Sequence, residues 1–211
     1  PLGGIQGIYV TPLKDTQVIG NKITLSNVKS NSVKGIQLYY INQTTHATLG
    51  PLPGIGSENI SVCGNQITFE DVNTTDASGT TGLSISYGSG DVYSNEIKVT
   101  GGVHSGGIIG ISAQNLYQQS QGVVHQEGSL NVHDNNVDVQ NAEFRKLAAV
   151  SRSNPPYEEA KNNVLTLSGK NIFNPIISSD NSYIFGVYAS TSLGNRRMPI
   201  YLLLLSIFLG P

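Results

Sequence analysis

The side chains best suited to holding a metal ion are His125, His133 and Asp134, which follow one another closely in the chain. Imidazole and carboxylate groups are common ligands, but a metal site needs several of them to converge. His125 falls in a long connecting segment, whereas His133 and Asp134 lie at a polar corner. We therefore expect a solvated histidine and a polar pair, and we predict no metal site and no cofactor. His46 and His104 are expected to be loop residues without a ligand partner.

Paired carboxylates would support a second chemistry, the cleavage of polysaccharides by general acid and base catalysis. The acids occupy different positions of a sequence repeat, so stacking the repeats would not bring them together. They include Asp71, Asp76, Asp91, Asp134, Asp138, Glu143, Glu158 and Glu159. The outward positions of the glycine-led strands described below carry Gln37, Ser84 and Ile109, with Tyr9 and Tyr188 nearby, and none of these is a base at neutral pH. The sequence therefore predicts a protein that is not an enzyme.

The residues named above lie in a sequence repeat. Each repeat is centred on an asparagine at a tight corner between two short strands in which apolar and polar residues alternate. The corner asparagines are Asn21, Asn65, Asn95, Asn135 and Asn163. Their successive separations are 44, 30, 40 and 28 residues, so the shortest period is near 28 residues and the longer repeats contain insertions. Self-similarity at this spacing is typical of a solenoid or another repeat architecture.

A second marker, a glycine that leads an apolar strand, runs out of phase with the asparagine. The glycines are Gly7, Gly35, Gly82, Gly110 and Gly186, and the segment around Ala149 fits the same position without a glycine. Each repeat thus contains a strand, a corner, a second strand, a connection and a glycine-led third strand. This organisation predicts an all-β solenoid, a parallel β-helix of about five coils with three strands each, in which every coil buries its neighbour.

The strand that follows each corner alternates between apolar and polar residues, which assigns its two faces. The apolar residues expected inside are Ile23, Leu25, Ile67, Phe69, Ile97, Val99, Val137, Val139, Leu165 and Leu167. The polar residues expected outside are Thr24, Thr68, Lys98, Asp138 and Thr166. Such a pattern in every repeat predicts one continuous apolar core.

The corner asparagine has two expected tasks. Asparagine tolerates a positive φ, as a sharp turn requires, and glycine precedes it in Gly20-Asn21 and Gly64-Asn65. Stacked corners would also place the side-chain amides one above another, so that each could donate a hydrogen bond to the next along the axis. Ordinary turn chemistry in unrelated hairpins is the alternative interpretation.

Composition limits the possible partners and the possible cysteine chemistry. The net charge is -2, the pI is about 6.1 and only 12% of the residues are charged, so no basic surface is available for nucleic acid. The lone cysteine, Cys63, excludes an internal disulfide and is expected to be a small buried thiol.

The chain divides into a repeat domain over residues 1–195, which we expect to be a fragment of a longer protein, and an atypical apolar tail over residues 196–211. The tail is too short to span a bilayer as a helix. A shifted reading frame is our favoured explanation; a segment that closes the solenoid and the start of a membrane segment are the alternatives. Insertions at residues 39–58 and 112–129 occupy the same connection, so both should leave the solenoid at one edge and could bind a partner.

The segments NNVLTLSG at 162–169 and YIFGVY at 183–188, followed by Gly194-Asn195, resemble the coils of autotransporter passenger domains, the surface proteins of Gram-negative bacteria. This resemblance implies a right-handed parallel β-helix, an extracellular or outer-membrane-associated location, and adhesion to a host or bacterial surface protein or glycan. Phage tailspikes and pectate-lyase-like enzymes use similar coils, so a tailspike or a polysaccharide-degrading enzyme fragment is the alternative.

Overall fold

The computed structural model describes residues 3–11, 15–39, 57–86, 88–114, 117–120, 123–126, 130–153, 160–174 and 183–190. Regular structure in these residues consists of strands, and none of them lies in a helix. The strands pair in parallel within four stacked sheets, which we name A to D, and one antiparallel pair stands apart. The predicted all-β class with a solenoid-like stack of parallel strands is therefore confirmed.

Strands are numbered in chain order. Sheet A contains, in spatial order, β1 (Ile5–Val10), β5 (Val33–Tyr39), β9 (Thr80–Ser86), β13 (Ile108–Gln114), β19 (Lys146–Ser153) and β23 (Tyr183–Ser190). Sheet B contains β2 (Gln17–Ile19), β6 (Ser57–Cys63), β10 (Gly88–Tyr93), β16 (Leu130–His133) and β20 (Ala160–Lys161).

The other two parallel sheets have the same order of repeats. Sheet C contains β3 (Lys22–Ser26), β7 (Gln66–Glu70), β11 (Glu96–Thr100), β17 (Asn136–Gln140) and β21 (Val164–Ser168). Sheet D contains β4 (Lys29–Ser30), β8 (Asn73–Thr74), β12 (Val103–His104), β18 (Glu143–Phe144) and β22 (Ile172–Phe173). The antiparallel pair is β14 (Tyr117–Ser120) and β15 (Val123–Gln126).

Each repeat contributes one strand in turn to sheets B, C, D and A, so the chain makes four strands per repeat. The prediction of three strands per coil missed sheet D, whose strands have two residues each. Two residues are too few to show an alternating pattern, and they lie in what the sequence presented as a connection. Sheet A corresponds to the predicted glycine-led strand, and sheets B and C flank the predicted corner.

The core lies between the sheets and follows the predicted faces of sheet C. In the central repeats Ile67, Phe69, Ile97, Val99, Val137 and Val139 are buried. Their equivalents in the terminal strands, Ile23, Leu25, Leu165 and Leu167, are partly buried and pack against the same cluster. Ile67 pairs with Ile97, and Ile97 pairs with Val137. Similar side chains therefore stack along the axis, which gives one continuous core.

The five corner asparagines form a hydrogen-bonded ladder between sheets B and C. The side-chain Nδ2 of each donates to Oδ1 of the next at 2.9 Å, from Asn21 through Asn65, Asn95 and Asn135 to Asn163. The main-chain N–H of the same donor reaches the same oxygen at 3.0 to 3.3 Å. Each later rung also donates from Nδ2 to a carbonyl of the preceding repeat, for example from Asn95 to Val62 at 2.9 Å. The amides thus donate along the axis, as their stacking predicted.

The backbone conformation at the corner differs from the expectation. A positive φ occurs at the residue before each ladder asparagine, and these residues are Gly20, Gly64, Ser94, Asp134 and Asn162. The preceding residue therefore makes the turn, which leaves the asparagine side chain directed into the ladder. The residue before every asparagine is small or polar. Such residues tolerate a left-handed conformation, so the sequence allowed the turn to lie at either member of the pair.

Stacked glycines in sheet A allow the sheet to pack closely against sheet C. A Cβ atom at Gly82 would lie 2.6 Å from the Gly110 carbonyl oxygen and 2.7 Å from Ile97 Cγ1. Gly35 faces Ile67 and Gly110 faces Val137 in the same way. These positions need glycine for lack of space rather than for an unusual φ, since none of the three has a positive φ.

Candidate functional site

Two of the three residues with metal-ligand chemistry lie together. His133 and Asp134 contact each other, with 2.6 Å between Nδ1 and Oδ2. His125 lies in β15, whose backbone pairs with β14. In the part of the chain that the structure describes, no group of three or more histidine, cysteine or acidic residues is placed to hold a metal ion.

The His133 and Asp134 pair belongs to a polar surface on the outer face of sheet B. The imidazole of His133 stacks on the ring of Tyr93 from the preceding repeat, with 5.4 Å between centroids and 3° between planes. The hydrogen bond from His133, supported by Asn162, lowers the pKa of the Asp134 carboxyl. Asp134 orients the imidazole, and the contacts of His133 with Tyr93 and of Asp134 with Asn162 join this repeat to its neighbours.

The thiol of Cys63 lies in register between Ile19 and Tyr93 in the same row of sheet B. It is buried, as predicted. A hydrogen bond with Cys63 raises the pKa of the Tyr93 hydroxyl. The row places Tyr93 between Cys63 and His133, so the thiol and the imidazole do not form the neighbouring pair that thiol nucleophiles require.

Several acids accept hydrogen bonds from polar side chains of an adjacent repeat. Asn59 donates to Asp15 at 3.0 Å, Ser26 to Glu70 at 2.8 Å, Asn131 to Asp91 at 3.1 Å and Asn174 to Glu143 at 2.6 Å. Asp138 accepts from Gln140 within its own repeat at 2.6 Å. The first four carboxylates thus link successive repeats along the axis, in different rows of the stack.

His104 is a core residue, and the prediction of a loop position was wrong. It lies in β12 and is fully buried, in register with Thr74 and Phe144. Its Nδ1 is 2.7 Å from Thr80 Oγ1 and its Nε2 is 3.2 Å from the Gly101 carbonyl oxygen. Burial lowers the pKa of His104 to about 4, so the imidazole is neutral at physiological pH. It donates from Nε2 to Gly101 and accepts at Nδ1 from the Thr80 hydroxyl. His46 lies outside the described residues.

A shallow polar depression of about 590 Å³ follows the outer face of sheet C. Hydroxyl, amide, ammonium and carboxylate groups of several repeats line it, among them Thr24, Thr68, Lys98, Glu70 and Gln140. Its outward residues Thr24, Thr68 and Lys98 lie in one row, as predicted from the alternation. The row places the Lys98 ammonium group beside the hydroxyl groups of Thr24 and Thr68.

The predicted outward positions of sheet A are more enclosed than those of the other sheets. Gln37 and Ser84 lie in one row and are each 8% exposed, and Ile109 is half-buried. Gln37 accepts a 2.7 Å hydrogen bond from Nε2 of Gln6, while Tyr9 at the edge of the sheet is exposed. The side chain of Tyr188 lies outside the described residues.

Both predicted insertions leave the repeats at the same connection. The first begins after β5 and ends at β6, and the second begins after β13 and ends at β16, so each joins sheet A to sheet B. The segment between β19 and β20 makes the same connection. The second insertion contains the β14–β15 pair. Residues 40–56, most of the first insertion, lie outside the described residues, as does the tail over 196–211.

The described residues contain no membrane-spanning helix. The polar groups that the structure brings together are the ladder, the His133 row and the inter-repeat carboxylate pairs, all of which bind one repeat to the next.

Comparisons of the chain with models of protein families, with curated proteins and with solved structures found no match.

Proposed function

We propose that the chain is a right-handed parallel β-helix of five coils that serves as a structural and adhesive, non-enzymatic segment of an exported bacterial surface protein. Sheets B, C and D each take five strands, which supports the coil number. Connections between parallel strands of one sheet are right-handed in about 98% of cases, which supports the handedness.

The observation that carries this proposal is the shared position of the insertions. Segments of very different length join sheet A to sheet B in the repeats that end at Tyr39, Gln114 and Ser153, whereas a single residue joins β9 to β10. The two longest connections between the parallel sheets, residues 40–56 and 115–129, both lie at this edge of the stack. Loops held by a rigid repeat scaffold commonly carry partner recognition.

The chemistry of the described surfaces supports a binding role. Four carboxylates, those of Asp15, Glu70, Asp91 and Glu143, accept hydrogen bonds from side chains of an adjacent repeat and so contribute to stacking. The outer rows of sheet C are rich in hydroxyl and amide groups, which suit contact with hydrated surfaces. We propose a cell-surface protein or glycan, of a host or of bacteria, as the partner, and an extracellular location.

The one-residue connection between β9 and β10 supplies the design for a test. Each insertion, residues 40–56 and 115–129, is replaced by a single tyrosine, and the variants are compared with the full chain for binding to immobilised bacterial and animal cells and to a glycan array. We expect saturable binding by the full chain and its loss in at least one shortened variant. Circular dichroism and hydrogen exchange of the ladder amides verify that the shortened variants keep the fold.

Binding that survives both replacements would contradict recognition through the insertions. Depolymerisation of polygalacturonate or another polysaccharide by the purified chain would contradict the non-enzymatic proposal and favour the enzyme alternative. A stable trimer in sedimentation experiments, without binding to cells, would favour the tailspike alternative.

A further inference from the structure

We infer that the edge of the stack formed by β20, β21 and β22 is a docking surface for one further β-coil that carries an asparagine at its corner. The inference concerns the end of the stack and does not depend on the insertions, so it can fail independently of the proposed function.

The asparagine ladder has a direction. Each rung before Asn163 donates its main-chain N–H and its side-chain Nδ2 to Oδ1 of the rung that follows, so these donors all point toward the edge at Asn163. Asn163 itself donates to the Val132 carbonyl at 2.8 Å. Among the described residues, its main-chain N–H and its second Nδ2 hydrogen meet no acceptor. The edge therefore presents a pair of convergent donors to an oxygen that is supplied from outside the described stack.

The core is incompletely covered at the same edge. Phe144 is 2% exposed, whereas Phe173, the next residue in its row of sheet D, is 39% exposed. Val137 and Val139 are buried, whereas Leu165 and Leu167, the next residues in their rows, are only partly buried. In the three central repeats a following repeat completes this burial. The edge at β21 therefore presents both the apolar rows and the donor pair that a further coil would cover.

The arrangement of the strands favours a single coil over a complete second copy of the chain. Sheet A has six strands, while sheets B, C and D have five. If β2, β3 and β4 of a second copy were placed on β20, β21 and β22, its β1 would occupy the level that β23 already occupies. A single coil that begins with a sheet B strand meets no such obstacle.

The chain contains a compact coil that can serve as a probe. Residues 87–114 contain β10 to β13 without an insertion, and they begin directly after Ser86. Ser190 lies in the same row as Ser86, through Gln114 and Ser153. A second copy of residues 87–114 inserted between Ser190 and Thr191 would therefore place its own asparagine one rung beyond Asn163, and its Ile97 and Val99 on Leu165 and Leu167.

Hydrogen exchange of the full chain with and without this insert tests the inference. We expect the amides of Asn163 and of alternate residues in β21 to exchange at least ten times more slowly when the insert is present. Asn95→Leu within the inserted copy is the matched control, and it should remove most of the added protection at Asn163. Unchanged exchange at Asn163 and β21 would overturn the inference. Exchange in the parent chain that is already as slow as in β17 would overturn it too, because the edge would then be covered.

A second experiment covers the case in which the insert disturbs folding. A peptide of residues 87–114 is added to the unmodified chain, and its binding is measured. We expect saturable binding, with protection at β21, and binding at least ten times weaker for the Asn95→Leu peptide. Protection at β3 instead of β21, equal binding of the two peptides, or no saturable binding would each overturn the inference.

Discussion

Asn95 is joined to Asn135 by two hydrogen bonds that converge on one oxygen. The main-chain N–H and the side-chain Nδ2 of Asn95 donate to Oδ1 of Asn135 at 3.0 and 2.9 Å. Both side chains are 1% exposed, and Asn95 also accepts the same pair of bonds from Asn65. Each central asparagine therefore satisfies buried polar groups of the repeats on both of its sides.

Replacing a central rung should cost more stability than replacing a terminal one. Asn95→Leu removes the Oδ1 acceptor of both Asn65 donors and the side-chain Nδ2 that donates to Asn135 and Val62. The main-chain N–H of residue 95 still donates to Asn135, but the buried groups of Asn65 lose their acceptor. We expect a loss of roughly 3 kcal/mol or more in the free energy of unfolding, since each unpaired buried group costs about 1–3 kcal/mol. Urea unfolding followed by circular dichroism measures the loss.

Asn21→Leu is the matched control for this experiment. Asn21 is only partly buried and has a neighbouring rung on one side alone among the described residues. We expect its replacement to cost about 1 kcal/mol, in the range of one modest hydrogen bond. Equal losses for the two variants would contradict the ladder as a source of stability.

The glycine row of sheet A predicts a second effect on stability. A Cβ at Gly82 would lie too close to the Gly110 carbonyl and to Ile97, both of which are fixed by packing. We expect Gly82→Ala to lower the free energy of unfolding by about 1–3 kcal/mol, the usual cost of overpacking a core. Thermal or urea unfolding provides the measurement.

Gly3→Ala separates this steric effect from the general preference for alanine over glycine. A Cβ at Gly3 would have no neighbour within 4 Å, so its replacement should change stability by no more than about 0.5 kcal/mol. If Gly82→Ala were as harmless as Gly3→Ala, close packing between sheets A and C would not explain the glycine row.

The inner face of sheet C could be predicted because its signal is strong and local. Rows such as Ile67, Ile97 and Val137 repeat one apolar type at one position, and every intervening residue is polar. The ladder could be predicted for the same reason, since one residue type recurs at one corner. Burial of an alternating face and stacking of like side chains follow directly from such rows.

Sheet D and His104 could not be predicted from the same kind of pattern. The inner row of sheet D contains Ser30, Thr74, His104, Phe144 and Phe173. This row has no common residue type, so nothing in the sequence marks it as interior. The environment of His104 depends on Thr80, 24 residues earlier in the chain, which comes close only when the repeat closes. A periodic sequence pattern predicts which faces are buried, but it does not predict contacts that form only when the repeat closes.

The pairing of His133 with Asp134 predicts a measurable change in acidity. The hydrogen bond from His133 is the main cause that lowers the pKa of Asp134. His133→Phe removes the donor and keeps a ring to stack on Tyr93, so the pKa of Asp134 should rise toward its usual value. Carbon-13 NMR titration of the Asp134 carboxyl measures the change. Tyr93→Leu, which leaves the donor in place, should have a smaller effect, and an unchanged pKa in His133→Phe would contradict the assignment.

Buried His104 should make stability depend on pH in a defined window. Burial lowers its pKa from 6.5 to about 4 in the folded protein, so the unfolded chain takes up the proton first as the pH falls. The contribution of His104 to the free energy of unfolding is therefore fully present above about pH 6.5. It decreases between pH 6.5 and 4, and this group causes no further loss below that range. A shift of this size corresponds to about 3 kcal/mol. Urea unfolding at a series of pH values between 4 and 7.5 measures the slope.

His104→Gln identifies the group responsible for this slope. Glutamine has a donor and an acceptor for Gly101 and Thr80 but does not titrate, so the variant should lose most of the pH dependence between 6.5 and 4 while its stability at pH 7.5 falls only modestly. Acids such as Asp134, whose pKa is lowered below its usual value, affect stability at lower pH and should leave the window unchanged. Parallel stability profiles for the parent chain and His104→Gln would show that a group other than this imidazole takes up the proton.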